Sequence, residues 1–410
     1  MGIREMADYD AIIIGSGHNA LVCALCLADV GWKVLVLERS ADIGGALRTQ
    51  ELTLPGFKHD LCATNVGRFA LSPVHQQFRS EFAASGLRFL TNTLPYASVY
   101  PDGGVARAFV DPALMEREVT RYLADDVAGW HEVSALFRRL SPALLALQIA
   151  AMPSRDMLRH IGHIVRHSRD AFRLLRILVQ SPRAFLEQYF RSPQIKGLIL
   201  PWSFHSDFGP ETMGGAMFSF ITAFSAQHRG LGIAAGGAGN ITTALQTLLE
   251  RRGGAVRAWA EVSRIYVKDG RAVSVRTHDG NEFSAARAIV AGVTPRHLFG
   301  GLIHSEELPH GFRRRIGRFR YGIGTFVVHL ALDKKLDWRA ADDLAAFNTV
   351  HINGDAETLS RTYQESRDGL IPSRPLLIVS QTTHADPFSG ARRQACRAHS
   401  FARIPRGNSR

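Results

Sequence analysis

The chain has 410 residues, of which 49 are Lys or Arg and 37 are Asp or Glu, so its formal net charge is +12. With 46% hydrophobic and 21% charged residues, the composition is that of a protein with a folded core and excludes a disordered chain. The length favours two or three domain-sized units. Half of the net charge lies in residues 388–410, which contain six arginines and no acidic residue.

The small number of cysteines indicates a reducing cellular compartment. The chain contains 4 of them (Cys23, Cys26, Cys62 and Cys396), which is too few for a disulfide framework and typical of a reducing environment. No apolar run approaches the roughly 18 residues that cross a bilayer, and the first residues lack the pattern of a secretory signal. We therefore expect a cytoplasmic protein that does not span a membrane.

The predicted elements begin with a βαβ unit. Residues 9–15 are a β-branched apolar run that predicts a buried strand, residues 18–31 predict a helix, and residues 33–38 predict a second buried strand, parallel to the first. Residues 115–200 predict mainly helix. Further strands are predicted at 258–268, 272–277, 282–290, 324–333 and 375–381.

The turn after the first strand carries the pattern G-x-G-x-x-A, formed by Gly15, Ser16, Gly17, His18, Asn19 and Ala20. The first glycine permits the tight turn, the second lets the backbone approach a pyrophosphate, and the alanine lets the helix pack on the strand. Glu38 ends the second strand, where a carboxylate can accept hydrogen bonds from ribose hydroxyls. A second match at 230–235 has no preceding strand and no following acidic residue, and it predicts a loop.

The residues after Glu38 indicate which dinucleotide is bound. Residues 15–49, GSGHNALVCALCLADVGWKVLVLERSADIGGALRT, and the later LPGFKHD resemble the FAD-binding entry of the phytoene-desaturase and amine-oxidase group, most closely its phytoene-dehydrogenase-like FAD-dependent oxidoreductases. The resemblance implies an α/β fold, with a Rossmann-like FAD-binding domain and an inserted α+β substrate domain. It also implies that FAD is bound by Arg39, Gly44, Gly45, Ala46 and Val262, besides the glycine turn and Glu38.

The resemblance further implies a domain order. We expect FAD-binding segments at 7–75 and 230–300, substrate-domain segments at 76–229 and 301–387, and a basic, disordered or non-native tail at 388–410. Members of the group end with a strand, a glycine-rich loop and a helix that close the flavin domain. We find no such segment, so we expect this final part of the family fold to be lacking and FAD binding and activity to be weak.

The implied chemistry is oxidation of a C–C or C–N bond in a hydrophobic or amine small molecule, by hydride transfer to the flavin. No residue is typical of an obligatory base. Two alternatives remain open: an NAD(P)-dependent dehydrogenase built on the same βαβ unit, and a non-catalytic remnant or regulatory nucleotide-binding protein. The scattered histidines His205, His228 and His329 predict no metal site. The terminal arginines lack interleaved aromatic residues, so we expect no nucleic-acid partner.

Three further features have competing interpretations. Residues 155–184 form a basic amphipathic stretch that we expect to pack on the core, with peripheral membrane contact as the alternative. Cys23 and Cys26 lie within the first helix, and we expect both thiols to face the sheet. His59 could tune the flavin ring or simply form a loop hydrogen bond with Asp60.

Overall fold

The computed structural model describes residues 7–149, 154–166, 168–352, 354–386 and 397–402. The chain divides into two compact units. The first contains Met1–Leu52, Lys58–Leu90 and Ile233–Tyr321, and the second contains Thr53–Phe57, Thr91–Gly232 and Gly322–Arg410. The predicted boundaries after residues 75 and 300 both lie within the residue ranges of the first unit.

The first unit is built on an α/β sheet. Its strands are β1 (Tyr9–Ile14), β2 (Val34–Leu37), β3 (Thr49–Gln50), β4 (His59–Asp60), β9 (Ala255–Arg257), β10 (Val262–Lys268), β11 (Arg271–Thr277) and β12 (Glu282–Ala291). Its helices are α1 (His18–Asp29), α2 (Gly67–Ala70), α3 (Pro73–Gln77), α4 (Arg79–Ala84), α13 (Gly239–Arg251), α14 (Pro295–His297) and α15 (His310–Gly317). Among its described residues, six strands form one sheet in the order β10-β11-β12-β1-β2-β9.

Four neighbouring strands of this sheet are parallel: β12, β1, β2 and β9. The apolar residues of β1 and β2 are buried on both faces, which explains why each strand is a continuous apolar run rather than an alternating one. Helix α1 packs Leu21, Ala24 and Leu25 into the core cluster on one face. The predicted parallel βαβ unit is therefore confirmed.

The second unit has a mixed sheet and most of the helices. Its strands are β6 (Tyr96–Val99), β7 (Val105–Ala108), β13 (Phe326–Ala331), β14 (Thr349–Ile352), β15 (Leu377–Ser380) and β16 (Arg397–Ala402). Its helices are α5 (Pro112–Tyr122), α6 (Asp126–Ile149), α7 (Arg155–Arg166), α8 (Ser168–Val179), α9 (Pro182–Tyr189), α10 (Pro193–Ile199), α11 (Pro201–Phe204), α12 (Ala216–Arg229) and α16 (Ala356–Arg367). The described strands follow the order β13-β16-β15-β14-β6-β7.

The structure contains strands in two segments that were predicted to be irregular. Residues 230–235, predicted as a loop, contain the strand β8 (Leu231–Ala234), which pairs with β5 (Phe89–Asn92). The predicted tail also contributes a strand, since β16 is antiparallel to both β13 and β15. Both segments are ordered by partner strands that are distant in the sequence. The rest of the tail, residues 388–396 and 403–410, lies outside the described residues.

The amphipathic stretch 155–184 is helical, as predicted, but the expected packing is wrong for its periodic apolar residues. Five of these side chains are 41–65% exposed: Leu158, Ile161, Val165, Phe172 and Leu175. The core contacts are made instead by Ile164, Leu174 and Ile177, on another side of α7 and α8. Within the described ranges, no helix is both long and apolar enough to cross a bilayer.

The C-x-x-C motif in α1 is also only partly as expected. Cys23 is half-buried and packs beside the core cluster, whereas Cys26 is exposed. The prediction that both thiols face the sheet is therefore wrong for Cys26. The buried face of α1 contains residues 20, 21, 24, 25 and 28, and position 26 lies off it.

Candidate functional site

The glycine turn joins β1 to α1 at the carboxyl edge of the parallel strands. Gly15 has a φ of 88°, in the left-handed region that favours glycine, and its N–H donates to the carbonyl of Leu37 at 2.8 Å. A Cβ at Gly15 would lie 3.2 Å from the carbonyl oxygen of Gly292. The first glycine of the motif is therefore required by both conformation and space.

The alanine of the motif packs against Gly292, just after β12. The N–H of Gly292 donates to the carbonyl of Ile14 at 2.8 Å. A Cβ at Gly292 would lie 2.9 Å from the Cβ of Ala20. Ala20 and Gly292 together let α1 approach the sheet closely.

The N-terminus of α1 is open. Gly17 precedes the helix in an extended conformation (φ −60°, ψ 154°), and no described side chain caps the first turn. A Cβ added to Gly17 would meet no described atom within 4 Å. The backbone N–H groups at His18 and Asn19 therefore begin a helix whose dipole favours an anion. Burial lowers the pKa of the His18 imidazole, so this side chain is neutral near pH 7.

Glu38 is buried beside this turn. Its Oε2 accepts hydrogen bonds from the backbone N–H of Ser16 at 2.8 Å and from the Ser16 hydroxyl at 2.7 Å, and its Oε1 accepts from the N–H of Ser40 at 2.9 Å. Burial alone would raise the pKa of the Glu38 carboxyl, but these hydrogen bonds together bring that pKa below its ordinary value. The carboxylate is ionised. Oε2 already accepts two hydrogen bonds, whereas Oε1 accepts the single bond from Ser40 N–H and has a further lone pair for a ligand hydroxyl.

The double glycine lies directly on the glycine turn. The N–H of Gly44 is within hydrogen-bonding distance of both the carbonyl and the hydroxyl of Ser16, at 3.1 Å each, and Gly44 forms a β-bridge with Gly17. A Cβ at Gly45 would lie 3.0 Å from the Cα of Gly17. Gly44 and Gly45 have φ values of 117° and 57°. Ala46 follows them and is exposed. The fold thus brings together the two motifs that the sequence singled out.

Of the other two predicted cofactor-binding residues, one is exposed and one is buried. Arg39 follows Glu38 and is exposed. Val262 begins β10, and its side chain is buried in a core cluster together with Leu37. The intervening segment is tied to the site, because the N–H of Ala260 donates to the carbonyl of Glu38 at 2.8 Å.

A second glycine-rich segment lies at the start of α13, and its N–H groups are already used. The buried Asp60 accepts from the N–H of Ala238 at 2.8 Å, and the hydroxyl of Thr49 accepts from the N–H of Gly239 at 2.8 Å. The start of α13 is therefore capped, unlike that of α1. His59, next to Asp60, is fully buried on β4.

Beside this capped helix lies a cleft of about 250 Å³. Its charged lining includes Asp42, Arg48, Glu51 and Lys58, so both signs of charge face it. Arg48 also donates from Nε to the carbonyl of Gly45 at 3.0 Å. The cleft therefore adjoins the double-glycine loop.

Known proteins match both the sequence and the fold. The family model described as flavin containing amine oxidoreductase matches residues 21–398. Pyridine nucleotide-disulfide oxidoreductase domain-containing protein 2 of Mus musculus is 25% identical, covering 94% of this chain and 71% of its own. The neurosporene-forming phytoene desaturase of Cereibacter sphaeroides is 27% identical, covering 79% of this chain and 61% of its own.

Among solved structures, an oxidoreductase from Methanosarcina mazei matches 97% of this chain and 79% of its own, with a TM-score of 0.59 and 15% sequence identity. That similarity shows the fold alone. The predicted α/β fold and the resemblance to phytoene-dehydrogenase-like FAD-dependent oxidoreductases are confirmed by these matches. The chain belongs to the family of flavin-containing amine oxidoreductases.

Proposed function

We propose that the chain binds FAD at the glycine turn and oxidises a C–C or C–N bond of a hydrophobic or amine small molecule. One observation carries the FAD site: the uncapped start of α1 lies beside the buried carboxylate of Glu38, with open space at Gly17. A diphosphate needs donors and close backbone approach, and a ribose needs an acceptor. Both requirements are met by neighbouring residues.

The fit with FAD extends to the double glycine. Gly44 and Gly45 lie against Ser16 and Gly17, so a ligand on the glycine turn would also reach this loop. The proposed cofactor-binding residues remain those expected from the sequence: Gly15, Ser16, Gly17, His18, Asn19, Ala20, Glu38, Arg39, Gly44, Gly45, Ala46 and Val262. Bound FAD would supply the hydride acceptor.

Backbone and side-chain groups of this chain would bind and orient the cofactor. The backbone N–H groups at the start of α1 would hold the diphosphate, and the ionised Glu38 would accept from the ribose. Ser16 keeps that carboxylate in place through two hydrogen bonds. Because Glu38 is only 8% exposed, bulk water is largely excluded from its carboxylate. The role proposed for these residues is therefore to bind and position the cofactor.

The substrate class is supported by the phytoene desaturase among the relatives, whose name describes desaturation of phytoene. The family description supports amines as the alternative. Both classes can lose hydride to a flavin. A panel of apolar alkenes and amines therefore forms the substrate test.

We also propose that the protein contacts an anionic membrane surface through one face of α7 and α8. This outward face consists of Leu158, Ile161, Val165, Phe172, Leu175, Leu178 and Val179, all at least 41% exposed. The flanking cations are Arg155, Arg159, Arg166, Arg173 and Arg176. Apolar side chains bordered by arginines suit the boundary between acyl chains and anionic headgroups.

The cofactor proposal is tested by mixing the purified protein with FAD, removing free ligand and recording the visible spectrum. In keeping with the weak binding expected from the sequence, we expect only part of the FAD to be retained, and anaerobic addition of an accepted substrate to bleach the absorbance of the retained flavin slowly. Retention of NAD⁺ or NADP⁺ without flavin would contradict the proposal and favour a nicotinamide-dependent dehydrogenase. Bound flavin that dithionite reduces but no member of the panel reduces would favour a non-catalytic nucleotide-binding protein.

A further inference from the structure

One aromatic side chain near the candidate site has no role in the core. Trp259 is 77% exposed, more than any other large hydrophobic residue in the described ranges. Its φ of 56° lies in the left-handed region, which is disfavoured for a bulky side chain and easily adopted by glycine. An exposed tryptophan in a strained conformation stabilises neither the core nor the local backbone.

The position of Trp259 is set by the strands of the candidate site. β9 pairs in parallel with β2, with Arg257 opposite Leu37. Trp259 then donates from its backbone N–H to the carbonyl of Ser40 at 3.2 Å, and Ala260 donates to the carbonyl of Glu38 at 2.8 Å. The segment that carries the indole therefore runs beside residues 38–40, at the carboxyl edge of the parallel strands.

That edge is where the nucleoside of a dinucleotide lies. In βαβ dinucleotide sites, the acidic residue that ends the second strand binds the ribose, so the attached base lies next to that residue. Purine bases stack on the faces of aromatic side chains, and indole offers the largest face among them. The segment after β9 is the one bonded to both Glu38 and Ser40, and its exposed side chain is an indole.

We propose that Trp259 stacks on the adenine ring of the bound dinucleotide. This inference rests on the proposed FAD function and adds a residue that the sequence motif does not contain. The two backbone hydrogen bonds of residues 259 and 260 hold the strained conformation and keep the backbone that carries the indole beside the backbone of residues 38–40. Adenine then covers an indole that is otherwise in solvent.

The test is calorimetric titration of the full chain with FAD, with ADP, and with flavin mononucleotide, which lacks adenine. We expect Trp259→Ala to raise the Kd for FAD and for ADP roughly tenfold, and to leave the Kd for flavin mononucleotide within about twofold of wild type. Trp259→Phe keeps a smaller aromatic face, so its Kd values should lie between those of wild type and Trp259→Ala. Trp32→Phe, elsewhere in the same unit, is the matched control and should bind like wild type.

A fluorescence measurement gives an independent result. ADP should quench part of the tryptophan emission of wild type and Trp32→Phe, and that quenching should be lost in Trp259→Phe. Unfolding by urea would establish that each variant is folded. If Trp259→Ala binds FAD and ADP as wild type does, the stacking inference is wrong and the FAD proposal stands. If wild type binds neither ligand, the FAD proposal fails and the stacking inference fails with it.

Discussion

Ser16 donates two hydrogen bonds to a single oxygen of Glu38, from its backbone N–H at 2.8 Å and from its hydroxyl at 2.7 Å. Together these bonds connect the glycine turn to the end of β2. Because the carboxylate is buried, its charge is stabilised by these donors and by the N–H of Ser40 rather than by bulk water. The shape of the candidate site therefore depends on one ionised side chain.

We expect Glu38→Gln to lower the free energy of unfolding by about 1–2 kcal/mol at pH 7, because an amide accepts more weakly than a carboxylate and brings donors toward Ser16. The pKa of the Glu38 carboxyl is below its ordinary value in the folded state. The contribution of the ionised Glu38 carboxylate to the free energy of unfolding is therefore present above the unfolded pKa of about 4.3. It is lost as the pH falls through the lower folded pKa. Urea unfolding at several pH values measures the difference, which should shrink below about pH 4.

The matched control for this experiment is Glu306→Gln, which alters an exposed glutamate in the same unit. We expect its free energy of unfolding to stay within about 0.5 kcal/mol of wild type at every pH. A difference between Glu38→Gln and wild type that does not vary with pH would contradict the assignment of an ionised carboxylate.

Gly17→Ala should separate cofactor binding from folding. The backbone at Gly17 is extended and no described atom lies within 4 Å of an added Cβ, so the fold should tolerate the methyl group. We expect the free energy of unfolding to change by less than about 0.5 kcal/mol. The methyl group would occupy the space through which a diphosphate approaches, so the Kd for FAD should rise at least roughly tenfold. Urea unfolding and FAD titration measure the two effects.

Two other glycines provide contrasts. Gly45→Ala introduces a Cβ 3.0 Å from the Cα of Gly17 at a φ of 57°, so it should reduce stability as well as FAD affinity. Gly317→Ala, at the exposed end of α15, meets no described atom within 4 Å and should leave both quantities unchanged. Unaltered FAD affinity in Gly17→Ala would exclude the glycine turn as the diphosphate site.

Arg252 joins three helices of the first unit. It contacts Asp29 at 2.7 Å and Glu81 at 2.8 Å, and its guanidinium lies 4.8 Å from the centre of the Phe78 ring. We expect Arg252→Ala to lower the free energy of unfolding by about 1–2 kcal/mol, because a partly buried bidentate pair is lost. Arg251→Ala, at the exposed neighbouring position, should change it by less than about 0.5 kcal/mol in the same urea titration. Equal effects of the two substitutions would show that the ion pairs contribute nothing measurable.

The second unit should lose stability in mild acid through His228. Burial, with the nearby charges of Arg138 and Arg229, lowers the pKa of this imidazole to about 4, and its ring stacks on Phe137 at a centroid distance of 5.2 Å. The folded state therefore binds a proton at His228 less readily than the unfolded state does. The free energy of unfolding is at its full value above the unfolded histidine pKa of about 6.5 and falls as the pH drops toward 4.

We expect His228→Phe to remove this pH dependence and keep the ring stack. Between about pH 7 and pH 5, the free energy of unfolding of wild type should fall by about 1 kcal/mol more than that of the variant; this figure is reduced for partial solvent screening. Thermal or urea unfolding at the two pH values measures this. His131→Phe, which alters an exposed histidine, should retain the wild-type pH dependence. Parallel stability curves for wild type and His228→Phe would contradict the prediction.

Vesicle co-sedimentation tests the outward face of α7 and α8. Wild type should bind vesicles that contain phosphatidylserine more tightly than neutral ones, and added salt should weaken binding. Replacing Leu158, Phe172 and Leu175 together with serine should reduce binding at least roughly tenfold without unfolding, since all three side chains are exposed. In the control variant, serine replaces Leu370 and Ile371, two exposed apolar residues of the same unit. This variant should bind vesicles as wild type does. Equal binding by both variants would exclude this face as the membrane contact.

Much of the candidate site was predictable because its determinants are local. An apolar run, a glycine that can adopt positive φ and an acidic residue at a strand end are each encoded within a few residues. Gly15, Gly17 and Glu38 could therefore be placed before any fold was known, and the structure brings them together at one edge of the sheet. Gly44 and Gly45 were predicted near the same ligand and contact the same turn.

The features that the sequence left open depend on segments that are distant along the chain. Gly292 packs on Ala20, and Trp259 reaches Ser40, only because β12 and β9 join the sheet beside β1 and β2. The strands β8 and β16 form because partner strands offer unpaired backbone groups.

Burial itself was the quantity that periodicity could not decide. The stretch 155–184 has apolar residues on more than one side of its helices, and local spacing does not tell which side meets the core. Packing against α6 and α12 buries one side and leaves Leu158 and Phe172 in solvent. The amino-acid sequence by itself determined the βαβ unit and the chemistry of its turn, since both are local. The tertiary structure decided which apolar and aromatic side chains remain exposed for a ligand or a surface, since exposure depends on what the rest of the chain covers.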